Sequence, residues 1–181
     1  MRDFPSKRRI TAGDAELDAF EARRGLKLPA SYRSFAQEFG RCELATDMGV
    51  WKITVPAPLA DYDDLDLDRM IETMAGVVEM DAEGIPGQGP LDRERAPRMV
   101  FFAEDVGGDP YGWDLGEPTE GSEYAIYART PTYERVASTF EEFLMVYALG
   151  RDLARWSEAG EPGPDAKFEP GDDPRIHLEP M

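Results

Sequence analysis

The segment from Val100 to Leu115 constrains the fold more than any other part of the chain. It begins with the apolar run Val100–Ala103, breaks at the acidic, glycine-rich Glu104–Pro110, and resumes with alternating large residues over Tyr111–Leu115. Valine and aromatic residues favour strands, whereas a Gly-Gly-Asp-Pro sequence cannot continue one. The pattern predicts a β-hairpin at the centre of a sheet, with a carboxylate-rich tip in water.

Two helices are predicted before this hairpin. The first follows Thr11, whose spacing to Asp14 resembles a weak capping box, and it ends at Gly25, where a helix stop needs positive φ. The second has Pro29 at its first helical position, an aromatic face, and Gly40 at its end. We expect the two helices to form a hairpin that packs its aromatic residues on the sheet.

The remaining elements follow from their periodicity. The sequence predicts strands at Gly49–Val55 and Glu123–Arg129, a helix over Arg69–Ala75, and a last helix from Phe140 behind a capping box of Ser138 and Glu141. The segment Val77–Met80 reads either as a short strand or as the end of the preceding helix.

The length of 181 residues fits one domain with a sizeable core. We expect residues 1–10 to form a flexible arm and residues 11–157 to form the domain. The Pro-, Gly- and acid-rich residues 158–181 are expected to form a tail, because that composition cannot build a core.

The net charge of −17 is the outstanding bulk property. It argues against binding to nucleic acid or to an anionic membrane surface, and it would attract a basic protein partner. Solubility alone is the competing explanation. A single cysteine, Cys42, allows no intrachain disulfide, and no secretory signal or membrane span is evident in the sequence. We therefore expect a cytoplasmic protein. We also expect a monomer or a weak dimer.

Catalytic motifs are absent from the sequence. The one histidine, His177, lies in the predicted tail, and Cys42 lies just after a helix C-terminus, where the dipole disfavours a thiolate. The acidic segments could in principle supply a glycosidase-like pair or oxygen ligands for a metal, but they lack the spacing of an EF-hand loop. We expect no catalytic residue, no metal and no cofactor.

Two acidic segments are the candidate binding residues. Asp61–Asp68 holds five carboxylates and no base, and the helix dipole accounts for only one or two of them. The second segment is the hairpin tip. Tyr62 would be an aromatic anchor if exposed, whereas strand alternation favours the core for Tyr111 and Trp113. The predicted partner contacts are Asp61, Tyr62, Asp63, Asp64, Asp66, Asp68, Glu104, Asp105, Asp109 and Asp114.

Three segments carry a family resemblance: Phe20-Glu21 with Gly25–Phe35, the hairpin Phe101–Leu115, and Phe140–Leu144. Their order and spacing resemble the SUKH superfamily, which includes the fungal cell-wall-synthesis regulator and many bacterial immunity proteins. The turn at Gly40-Arg41-Cys42 departs from the asparagine- and glycine-rich turn that members commonly carry, and the long tail is not covered by the resemblance.

The resemblance implies an α+β fold in which helices pack on a single, mostly antiparallel sheet. It also implies a non-enzymatic protein that neutralises a secreted toxin, often a nuclease, by binding it. The acidic composition agrees with this, because nuclease sites are basic. Two other hypotheses stay open at this stage: a regulatory or scaffold module with several cellular partners, and an enzyme or metal-binding domain that uses the acidic loops.

Overall fold

The computed structural model describes residues 11–40, 42–46, 49–56, 66–84 and 91–148. The helices are α1 (Asp14–Arg24), α2 (Ala30–Glu38), α3 (Leu67–Glu83) and α4 (Phe140–Glu142), the last continuing as a π-helix over Phe143–Ala148. The strands are β1 (Cys42–Thr46), β2 (Gly49–Ile53), β3 (Met99–Asp105), β4 (Pro110–Thr119), β5 (Glu123–Arg129) and β6 (Tyr133–Ala137).

The strands form one sheet in sequence order, and every neighbouring pair is antiparallel. The predicted α+β class with a single antiparallel sheet is therefore confirmed. The hairpin predicted from the central segment is the middle pair, β3 and β4, as expected. Because the order is a simple meander, the β3–β4 and β5–β6 turns lie at the same end of the sheet.

One face of the sheet holds the larger aromatic core. The Trp113 ring stacks on Phe102 at 4.3 Å between centroids, and Tyr32 of α2 meets Trp113 edge-on at 4.7 Å. Phe140 of α4 contacts Tyr32 at 5.1 Å in the same manner. Aromatic pairs in such offset and edge-to-face geometries add stability beyond the area they bury. The core position predicted for Trp113 and Tyr111 is confirmed, with 1% and 3% exposure.

The opposite face is covered by α3. Its Met70 belongs to a second buried cluster with Phe101 of β3 and Tyr127 of β5. Successive strand residues point to opposite faces, so Ile126 joins the first cluster while Tyr127 joins the second. The central strands are therefore buried on both sides, which fits the unbroken apolar run Val100–Ala103 of β3.

A β-bulge at Phe102 shifts the register between the two central strands, β3 and β4. Phe101 lies opposite Gly112 and Ala103 lies opposite Tyr111, which leaves Phe102 as an extra residue. Its carbonyl accepts hydrogen bonds from the backbone N–H of Thr54 at 2.9 Å and from the Thr54 hydroxyl at 2.7 Å. The bulge places Phe102 against Trp113 and ties β3 to the end of β2.

The helix caps differ from the predicted ones by one or two residues. The N-cap of α1 is Gly13, whose N–H donates to the Glu16 carboxylate at 2.7 Å, and not Thr11. Pro29 is the N-cap of α2 and not its first helical residue. At α4 the capping side chain is Thr139, which accepts from the N–H of Glu142, because the helix starts one residue later than the Ser138 pairing implied.

Other predictions are extended or corrected by the structure. Helix α3 continues to Glu83, so Val77–Met80 is helical and not a strand. The strands β1 and β6 were not predicted, because neither has a clear alternation of apolar residues. No helix in the described ranges is long and apolar enough to cross a bilayer. The arm at residues 1–10 and the tail at residues 158–181 lie outside the described residues.

Candidate functional site

Asp105 builds the tip of the central hairpin. Its Oδ1 accepts hydrogen bonds from the N–H of Gly107 at 2.8 Å and of Asp109 at 3.0 Å. Its own backbone carbonyl accepts from the N–H of Gly108, where φ is +83° and glycine is favoured. One carboxylate therefore organises the turn, so Asp105 has a structural role, and its contact with a partner stays a prediction.

A partly buried chain of hydrogen bonds fixes this tip to the core. The Tyr111 hydroxyl donates to Asp105 Oδ2 at 3.1 Å, and it also bonds the hydroxyl of Tyr147 in the π-helix. Burial is the main cause that raises the pKa of Tyr111, with Tyr147 and the carboxylate of Asp105 adding to it. Both phenols are therefore neutral hydrogen-bond donors at physiological pH, and the tip is preorganised by the domain beneath it.

The tip presents one apolar side chain between acidic ones. Val106 is 77% exposed, the largest exposure among the large hydrophobic residues that the structure describes. Asp109 lies three residues later, and its side chain makes no hydrogen bond or ion pair within the described ranges. Glu104 pairs across the strands with Lys52 at 3.1 Å, a partly exposed contact of small energetic value.

Glu134 of β6 extends this acidic end of the sheet. The strand register aligns Tyr111, Ala128 and Glu134, so Glu134 lies two strand spacings, about 10 Å, from β4. After burial, the carboxylates of Glu134, Asp105 and Asp109 are among the causes that raise the pKa of Tyr147 to about 12. We name this surface the tip patch: Glu104, Asp105, Val106, Asp109 and Glu134.

The predicted contacts at the start of α3 have structural roles. Asp66 is the N-cap of the helix, and its side chain accepts from the N–H of Asp68 at 2.8 Å. Asp68 forms ion pairs with both Arg23 and Arg24 of α1. Asp66 thus caps α3, whereas Asp68 joins α3 to α1 and is mostly covered, with its side chain 16% exposed.

The rest of the first acidic segment, Asp61, Tyr62, Asp63 and Asp64, lies outside the described residues, and their role stays a prediction. The anchor of the segment is described: Val55 forms a parallel bridge with Asp66. Asp105 pairs with Trp51, four residues before Val55, so Asp66 is displaced from Asp105 by about 13 Å along the strand direction. A single partner of ordinary interface size could span that distance.

Asp114 is not available for a partner in this structure, and its predicted contact role is corrected. It is fully buried and accepts hydrogen bonds from Arg98 at 2.9 and 2.8 Å and from Arg95 at 3.2 Å. Its Oδ1 also accepts from the N–H of Gly116 at 2.9 Å, within an irregular stretch of β4. Asp114 therefore holds this stretch against the turn that carries the two arginines.

A second buried carboxylate, Asp81 of α3, was missed by the sequence reasoning. Arg129 donates to its two oxygens at 2.7 and 2.8 Å, and the Tyr133 hydroxyl donates at 2.9 Å. Burial alone would raise the pKa of Asp81, but these hydrogen bonds outweigh it and lower the pKa below its ordinary value. No signal in the sequence could reveal a pair separated by 48 residues.

Within the ranges that the structure describes, no group of three or more His, Cys, Asp or Glu side chains is arranged to hold a metal ion. The tip patch instead combines a rigid turn, an exposed apolar side chain and negative charge. These are properties of a surface that recognises another protein, because a preorganised anchor loses little entropy on binding.

A meander sheet between two helical layers defines the class of this protein as an α+β domain, and its acidic hairpin tip is held in place by hydrogen bonds. The chain belongs to the SMI1 / KNR4 family (SUKH-1), whose family model matches residues 11–145. Members are generally non-enzymatic proteins with immunity or regulatory roles. Comparison with curated proteins finds no match for the chain.

Proposed function

We propose that this chain is a cytoplasmic immunity protein that binds and neutralises a cognate secreted toxin with a basic active site. The tip patch is the observation that carries the proposal. Val106 supplies an apolar anchor on a turn held by Asp105, while Asp109 and Glu134 supply charges that complement a basic surface. Family membership supports the same kind of role.

Electrostatic attraction would act before contact. The net charge of −17 favours approach of a basic domain, and steered association can reach about 10⁸–10⁹ M⁻¹ s⁻¹ at low salt. Once the immunity protein has docked, its carboxylates would occupy the toxin's phosphate-binding site in place of nucleic acid. Asp63 and Asp64, which lie outside the described residues, are proposed to extend the contact.

The test first searches the neighbouring genes for a secreted protein with a basic toxin domain, and it then measures association kinetics with that domain. Asp109→Lys and Glu134→Lys should each lower the association rate constant about tenfold at low salt, and Val106→Ala should mainly speed dissociation. The matched control is Glu120→Lys, an exposed carboxylate in the β4–β5 turn at the opposite end of the sheet. Equal losses in all the charge reversals, or the absence of a complex at low salt, would reject the proposal.

Asp66 is excluded from this set of reversals. Because Asp66 caps α3, its replacement by lysine should cost about 1 kcal/mol of stability whether or not it touches a partner. Asp63→Lys and Asp64→Lys, with thermal unfolding measured alongside, test the first acidic segment instead. The alternative within the same family is a regulatory module. Several cellular partners in a pull-down, together with no binding to a toxin domain from a neighbouring gene, would favour it.

A further inference from the structure

Helix α3 carries more apolar surface than the core uses. Its core side is formed by Leu67 and Met70, which are buried, with Asp81 in the last turns. A neighbouring row at helical spacing, Ile71, Ala75 and Ala82, is apolar but only partly buried or exposed. Ile71 packs in part against the larger core cluster, whereas Ala75 and Ala82 extend the apolar row to positions where an amphipathic surface helix would normally place polar residues.

The row forms one wall of a groove between α3 and β3. The groove has a volume of about 340 Å³, and its other wall comes from Met99 and Phe101 of β3. Met74 and Val78 of α3 line its floor. Methionine side chains adapt to differently shaped partners, and apolar grooves beside a helix accept a second helix ridge-into-groove. We name this surface the α3 groove.

The rim of the α3 groove carries two negative charges that no basic side chain among the described residues pairs with. Glu79 and Glu83 both line it, are exposed, and make no ion pair within the described ranges. They are four residues apart near the C-terminus of α3, and the last turn contains no basic residue. Like charges at this spacing, at the negative end of a helix dipole, are unfavourable in the free protein. A cationic partner would relieve both effects.

We propose that the α3 groove is a second docking site, which binds a basic amphipathic helix of a partner protein. The partner's apolar side chains would fill the space between Ile71, Val78 and Met99, and its Lys or Arg side chains would pair with Glu79 and Glu83. The negative charge of the rim disfavours an acidic partner. This site lies on the face of the sheet covered by α3 and is separate from the tip patch.

The probe is a synthetic helical peptide of about 18 residues with one leucine face and one lysine face, and the control peptide carries glutamate for lysine. Calorimetry with the full chain should detect the lysine peptide only. Ala75→Lys, and the double change Glu79→Lys with Glu83→Lys, should each weaken binding about tenfold or more. Ala75 and both glutamates are exposed on the helix, so these variants should fold.

The matched control is the double change Glu120→Lys with Glu141→Lys, which alters the net charge equally at exposed sites elsewhere. It should change the peptide affinity less than about twofold, and Asp109→Lys at the tip patch should also leave it unchanged. Equal weakening by the control, or no binding of the lysine peptide, would overturn the proposal. So would a dimer in sedimentation that Ala75→Lys dissociates, since a second copy would then occupy the groove.

Discussion

Among the residues that the structure describes, four carboxylates are almost completely buried: Glu21, Asp81, Asp114 and Glu123, with exposures of 5%, 3%, 0% and 6%. Each is satisfied by charged or backbone donors, as burial of a charge requires. Glu21 accepts from the N–H of Leu28 at 3.0 Å and so orders the loop between α1 and α2. At the residue scale, several carboxylates of this acidic chain therefore stabilise the fold and do not serve as surface charge.

Asp81→Asn is expected to lower the free energy of unfolding by about 3 kcal/mol, because the partly buried charge of Arg129 would lose its counter-ion. Glu79→Gln, on the exposed side of the same helix, should change stability by less than about 0.5 kcal/mol. Urea unfolding at pH 7 measures both. Equally small effects of the two variants would mean that the ion pair between Asp81 and Arg129 makes no net contribution to stability.

The lowered pKa of Asp81 also predicts a pH dependence. Since the unfolded chain binds a proton at this carboxyl more readily, the stabilisation is complete above the unfolded pKa of about 4 and is lost as the pH falls through the folded pKa. Unfolding free energies measured from pH 7 to pH 3 should fall less steeply for Asp81→Asn than for the natural chain. Parallel curves would contradict the assignment.

At the scale of elements, Glu123 connects three pieces of the fold. From the start of β5 its carboxylate accepts from the N–H and hydroxyl of Ser31 at 2.7 and 2.8 Å, and from the N–H of Phe140 at 3.3 Å. The residue therefore caps the N-termini of α2 and α4 together. Negative charge is favoured at such helix ends by the macrodipole.

Glu123→Gln should cost about 2 kcal/mol, because charge-assisted hydrogen bonds to two helix ends become neutral ones. The control is Glu120→Gln, three residues earlier and exposed, which should be neutral within about 0.5 kcal/mol. Thermal unfolding followed by circular dichroism compares the two variants. If the two variants have the same melting temperature, the capping of both helices by Glu123 does not contribute to stability.

Two glycines in different elements should respond oppositely to alanine. A Cβ at Gly112 of β4 would lie 2.8 Å from the carbonyl oxygen of Val100, so Gly112→Ala should destabilise the central hairpin by about 1–3 kcal/mol. At Gly76, inside α3, no heavy atom lies within 4 Å of the added Cβ, and alanine should stabilise by about 1 kcal/mol. Denaturant midpoints of both variants test the pair, and shifts of the same sign would contradict it.

For the whole molecule, the excess of negative charge is the dominant property. With a net charge of −17, the carboxylates repel one another in the compact folded state, and salt screens that repulsion. Raising NaCl from about 20 to about 300 mM should stabilise the chain by about 1 kcal/mol, or about 3 °C in melting temperature. The exposed ion pairs weaken in salt but contribute little. A falling melting temperature would show that ion pairs outweigh the repulsion.

The sequence by itself determined the central hairpin, the helices α1 and α2, and the acidic tip, because these depend on local propensity, periodicity and turn chemistry. Only the tertiary structure decided which carboxylates serve the fold. Asp114 and Asp109 look alike in sequence, yet one is buried between two arginines and the other remains at the surface. Pairing of charges over long separations depends on how the chain packs, and no local pattern records it.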